Sequence, residues 1–109
     1  MSQLTFDYFL LYKMGYLPNN PIQLGEPPLN LIAEAYSTGP LLAVAWHHKT
    51  QEWIFQPRMA LAILHVNSDD HRFRATDRST AEREALRFAT KPLPSETELT
   101  QICRAARPD

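Results

Sequence analysis

The stretch LLAVAWHHKTQEWIFQ, residues 41–56, restricts the fold more than any other part of the chain. Residues 41–46 are apolar on both alternating faces, which is how a central strand reads. A short polar turn, Lys49-Thr50-Gln51, then sends EWIFQ back along it, and two apolar runs joined so closely pair antiparallel. The pattern predicts a hairpin over 41–56 with Trp46 and Trp53 near one another across the pair. Such aromatic neighbours strengthen a ladder by roughly 0.2–1 kcal/mol.

Two further segments alternate with a period of two. In 29–37, Leu29, Leu31, Ala33 and Ala35 oppose Asn30, Ile32, Glu34 and Tyr36, the pattern of a half-buried strand, although the Ala and Leu content also allows a helix. In 71–76, His71, Phe73 and Ala75 oppose Arg72, Arg74 and Thr76, an amphipathic strand with its two arginines toward solvent.

Three segments read as helices. Pro57 suits a first turn, and Met59, Ala60, Ile63 and Leu64 then share one face of a helix over 57–66. Asp77 or Ser79 starts the next, over 78–90. Ser79 and Glu82 have capping-box spacing, and Ala81, Ala85, Phe88 and Ala89 form an inward stripe with Leu86 beside it. Lys91-Pro92-Leu93-Pro94 ends it. Ser95 and Glu98 repeat the capping box and open a helix over 95–106 with Leu99, Ile102 and Cys103 inward.

Residues 4–16, LTFDYFLLYKMGY, fit either period, and their length and unbranched composition favour helix. The prolines of 18–28 make that segment a loop. Together these elements predict one α+β domain over 1–109. Its small, mostly antiparallel sheet holds the hairpin 41–56 and strands near 29–37 and 71–76, covered by the short helices.

Composition then narrows the function. Eleven basic and twelve acidic side chains leave a net charge of −1, which does not suit a protein living on phosphate backbones. The single cysteine forbids an internal disulfide and a four-cysteine zinc site, so a reducing, cytoplasmic setting is expected. The first residues lack a basic n-region and are interrupted by Asp7 and Lys13, unlike a signal peptide or a bilayer span. No GxSxG, Walker or GxGxxG sequence occurs, and the three glycines form no phosphate cradle, so no cofactor is expected.

The polar candidates are few. His47, His48, His65 and His71 with Asp69 and Asp70 could in principle ligate a metal. Adjacent strand histidines point to opposite faces, however, and no i, i+4 histidine pair occurs, so no metal is expected. Cys103 falls in an inward helical stripe and reads as core. The charge-poor first half supplies central strands, with Tyr8, Tyr12, Tyr16 and Tyr36 as the aromatic side chains a partner could meet. Arg72, Arg74, Arg78 and Arg83 form the strongest polar feature; with Tyr36, His47 and His71 they make up a candidate surface for another protein. Two alternatives use the same residues: a ligand-binding or enzymatic cleft near His47 and His71, and a nucleic-acid face built on the arginines.

From Trp53 to Ile102, the order of Trp53, Phe55 and Pro57, then Arg72, Asp77, Arg78, Ala81 and Glu82, then Leu93, Pro94, Ser95, Glu96 and Leu99 resembles small bacterial accessory proteins of the toxin-immunity kind. The resemblance covers about half the chain. It implies a non-catalytic cytoplasmic protein that occludes the active site of a toxin.

Overall fold

The computed structural model describes residues 3–13, 22, 25–36, 39, 41–66 and 72–106. Among them five strands form one antiparallel sheet: β1 (Asp7–Leu11), β2 (Asn30–Ala35), β3 (Leu42–His47), β4 (Glu52–Phe55) and β5 (Phe73–Thr76). Their order, β4-β3-β2-β1-β5, makes the first four a meander and brings the fifth back to the far side of β1. Three helical pieces complete the α+β fold: α1 (Pro57–Ala60), which runs on as a π-helical segment (Leu61–Val66), α2 (Arg78–Ala85) and α3 (Glu96–Ala106).

The hairpin forms as its sequence requires. Trp46 stands directly opposite Trp53, with ring centroids 5.3 Å apart at 63°. Gln51 closes the turn in the left-handed region, φ 59°, and its N–H donates to the His47 carbonyl at 2.8 Å. Glycine is the usual occupant of such a position.

Three expectations are corrected. The helix expected over 78–90 ends at Ala85, with a turn following it. The 4–16 segment contributes the strand β1, not the helix its unbranched composition favours. β1 pairs with β2 on one side and β5 on the other, and Tyr8, Leu10, Leu11 and Tyr12 are all buried. β2 is buried at every position instead of half-buried, because helices cover both faces of the sheet.

Those faces are built differently. On the first, Tyr8, Leu10, Leu31, Val44, Trp46 and Trp53 pack with Ala81, Ala85, Leu99 and Cys103 of α2 and α3. The small alanines let α2 approach the sheet closely, while Leu86, beside that stripe, is exposed. Asp77 is the residue that caps α2, its carboxylate accepting the Thr80 N–H at 2.8 Å. At α3 the predicted capping box is present and reciprocal: Glu98 N–H donates to Ser95 Oγ at 3.1 Å, and Ser95 N–H to Glu98 Oε1 at 3.3 Å.

On the second face Leu11, Ile32, Ala43 and Ala45 pack under Ala60 and Leu64 of the helix 57–66. That helix starts at Pro57 without a side-chain cap from Gln56. Among the described residues no helix is long and apolar enough to cross a membrane.

Candidate functional site

The most unusual polar group lies on this second face. Glu34, in the middle strand of the sheet, has a side chain only 1% exposed, and a carboxylate is stable there only if hydrogen-bonded. His65 supplies the bond: its Nε2 stands 2.9 and 3.1 Å from the two carboxylate oxygens. A carboxylate only accepts, so the bond is donated by Nε2–H.

The Tyr36 hydroxyl lies 3.1 Å from the same nitrogen, and its ring meets the imidazole edge to face at 6.2 Å and 73°. Hydrogen bonding to the Glu34 carboxylate pushes the Tyr36 pKa up to about 12, with desolvation and the charges of Glu34 and Asp7 adding to it. The buried carboxylate anchors His65, and Tyr36 rests against that imidazole at the surface. His65 reaches Glu34 from the π-helical segment, and such segments recur at functional sites.

The Glu34 end of β2 lies beside Asp7. The Asn30 end lies beside Leu11, and an open cleft of about 270 Å³ is found there. Leu11, Leu29 and Ile63 supply apolar lining, with Tyr12 and Asn30 beside them. The Asn30 amide is turned into the sheet, where Nδ2 donates to the Trp46 carbonyl at 2.9 Å and Oδ1 accepts the Trp46 N–H at 3.1 Å. His48 and Arg72 complete the cleft.

The six described candidates from the sequence, Arg72, Arg74, Arg78, Arg83, Tyr36 and His47, have different surroundings. Tyr36 is exposed beside Glu34, whereas Tyr8 and Tyr12 are buried. His47 Nδ1 is engaged by the Thr50 hydroxyl at 3.0 Å in the hairpin turn. It is His48, not His47, that lines the described cleft. His71 and Tyr16 lie outside the described residues.

The arginines divide. Arg72, expected on a solvated strand face, precedes β5 and is largely covered; its guanidinium grips Glu26 at 2.5 and 2.7 Å and also donates to the Lys13 carbonyl at 2.7 Å. Arg78 works inside the fold. It donates to the Tyr8 hydroxyl at 3.0 Å, lies over the same ring and pairs with Glu82 at 3.0 Å. The Tyr8 hydroxyl in turn donates to Glu96 at 2.7 Å, which ties β1 to both α2 and α3. Arg74 and Arg83 are exposed on β5 and α2.

Among the described residues no three His, Cys, Asp or Glu side chains are grouped to hold a metal ion. Cys103 is buried, and desolvation pushes its thiol up to about 11, the setting of a core residue and not of a nucleophile.

Sequence reasoning missed the Glu34–His65 pair. Its partners are far apart in the chain and share no motif; the one available signal was a glutamate among apolar alternating residues.

The chain matches no protein-family model, and neither a curated protein nor a solved structure is significantly similar to it.

Proposed function

We propose that this chain is a non-catalytic protein-binding protein, a bacterial cytoplasmic immunity or inhibitor protein that binds a partner such as a toxin and blocks it. The observation that supports this reading is the outer side of the second-face layer, where Tyr36, Leu61 and Val66 are 62, 47 and 65% exposed. Leu61 and Val66 are one π turn apart, Val66 adjoins His65, and His65 touches Tyr36. Exposed apolar and aromatic side chains near one another are what a protein-contact surface uses.

Its aromatic members suit the role. Tyrosine offers a large contact area with a polar tip, and the hydrogen bonds of His65 to Glu34 and of Tyr36 to His65 hold both rings in place before any partner arrives. Binding then costs less side-chain entropy than it would for mobile groups.

Co-expression with the product of the adjacent gene tests the reading. The expected result is a stoichiometric complex on size exclusion, weakened at least about 30-fold in a variant carrying Leu61→Asp and Val66→Asp. Both residues are exposed, so the variant keeps its native unfolding transition. Undiminished binding by that variant would move the interface elsewhere. Turnover of a small molecule by the purified chain, with no copurifying neighbour, would overturn the reading itself.

A further inference from the structure

We infer that the outer edge of β5 accepts an extended segment of another protein as a sixth, antiparallel strand, with an acidic side chain opposite Arg74 and apolar ones opposite Phe73 and Ala75. The backbone groups set the place. β5 ends the sheet order, and the Tyr12 N–H donates to the Arg72 carbonyl at 2.9 Å in the register that continues through Leu10 and Arg74. Hydrogen-bonded pairs alternate along an antiparallel ladder, so Arg74 and Thr76 turn their peptide groups toward β1 while Phe73 and Ala75 turn theirs outward. Those outward N–H and C=O groups have no partner among the described residues, which makes them a template for a further strand. At the opposite edge Trp53 is buried, with Phe88 and the Lys91 carbonyl against it. In β5, by contrast, Arg74 and Ala75 are exposed.

The side chains define the occupant. Across the outer edge Arg74 falls at a non-hydrogen-bonded position, where opposing side chains come closest, so its charge acts directly on whatever faces it. No ion pair engages it among the described residues. A second copy pairing through both Phe73 and Ala75 would set Arg74 against its own counterpart, and like charges directly opposite destabilise a ladder. An acidic side chain in the same place is favoured for the same reason. Ala75 is small, and Phe73 meets Phe9 edge to face at 6.1 Å beside the second-face core, so the flanking positions offer apolar ground. None of these residues belongs to the Tyr36 patch, and the edge can be tested apart from it.

The test is an NMR titration of the full chain with the peptide acetyl-Thr-Val-Glu-Val-Thr-amide and with its counterpart carrying Lys in place of Glu, following amide shifts and hydrogen exchange at Phe73 and Ala75. The Glu peptide is expected to bind roughly 2- to 10-fold more tightly than the Lys peptide and to slow exchange at both amides. Arg74→Glu should invert that order. Ala75→Pro removes one outward donor without touching the ladder to β1, as edge positions allow, and should weaken both peptides. The variant carrying Leu61→Asp and Val66→Asp should bind them as the native chain does.

Equal affinity for the two peptides, no binding at millimolar concentration, an order unchanged by Arg74→Glu, or shifts confined to residues away from β5 would overturn the assignment. So would loss of the Glu peptide in the Leu61→Asp and Val66→Asp variant, which would move its site to the Tyr36 patch. Exchange at Phe73 and Ala75 that slows as the native chain alone is concentrated, together with a dimer in sedimentation, would give the edge to a second copy and likewise overturn it. Failure of the neighbouring gene product to bind leaves all of these outcomes unchanged, so the edge and the Tyr36 patch are tested separately.

Discussion

The two faces of one sheet receive opposite treatment. On the first, two helices with side-chain caps close over Trp46, Trp53 and Leu99, and the Tyr8, Arg78 and Glu96 side chains lock both helices to β1. On the second, one uncapped helix changes to π geometry, leaves Leu61 and Val66 in solvent, and covers a carboxylate. A buried carboxylate and exposed aliphatic side chains are both poor choices for stability alone. The first face thus carries the larger apolar core, and the second gives part of its area to the pair of buried Glu34 with His65.

Truncating one leucine on each face gives the largest expected contrast. Leu99 is fully buried between α3 and the sheet, so Leu99→Ala should destabilise by about 2–5 kcal/mol through lost contacts and a cavity. Leu61→Ala, at a residue 47% exposed, should stay within about 0.5 kcal/mol. Urea unfolding of the two variants measures both. Similar losses would mean that the outer side of the π-helical segment is structural after all.

The helix starts should differ by less. Ser95→Ala removes one half of a reciprocal capping box and should cost about 1 kcal/mol. Gln56→Ser offers α1 a capping hydroxyl it lacks, yet should gain less than that. The backbone at Gln56, φ −140° and ψ 63°, departs from the extended conformation a capping residue adopts. Thermal unfolding of the pair distinguishes a helix that lost its cap by chance from one whose start is held by the sheet.

These elements were unequally legible in the sequence. Capping by Ser95 and Glu98 is local, three residues apart, and appears as written. So does the hairpin, whose turn and tryptophans lie within sixteen residues of one another. β1 was obscured because burial of both faces erases the alternation that marks a strand, leaving composition to suggest a helix. The alternation in β2 implies a half-buried strand, since nothing nearby in sequence announces the helix that covers the Glu34 side.

Arg72 and Arg78 looked like a binding face for the same reason. Their partners, Glu26 and Tyr8, are contributed from 46 and 70 residues away. Periodicity describes what one element presents; it does not say which distant side chain will meet it.

The smallest expected effect compares the two faces through their tyrosines. Tyr8 and Tyr36 are both pushed up from 10.0 to about 12, but for different reasons. Burial is the main cause at Tyr8, opposed by the Arg78 hydrogen bond and assisted by Glu96. At Tyr36 the main cause is the hydrogen bond to Glu34. Absorbance titration of phenolate should therefore place both near 12 in the native chain, with Glu34→Gln returning Tyr36 toward 10 and leaving Tyr8 where it is.

The linked effect on stability has a definite sign. A phenol whose pKa is higher folded than unfolded favours the folded state fully below pH 10, and that contribution is lost as the pH rises from 10 through about 12. Tyr8, buried, should carry more of this loss than Tyr36, whose charge water screens. Tyr8→Phe should consequently flatten the alkaline decline more than Tyr36→Phe does. The reverse order would place the tighter electrostatic coupling on the second face, and with it a structural role for the Glu34 pair.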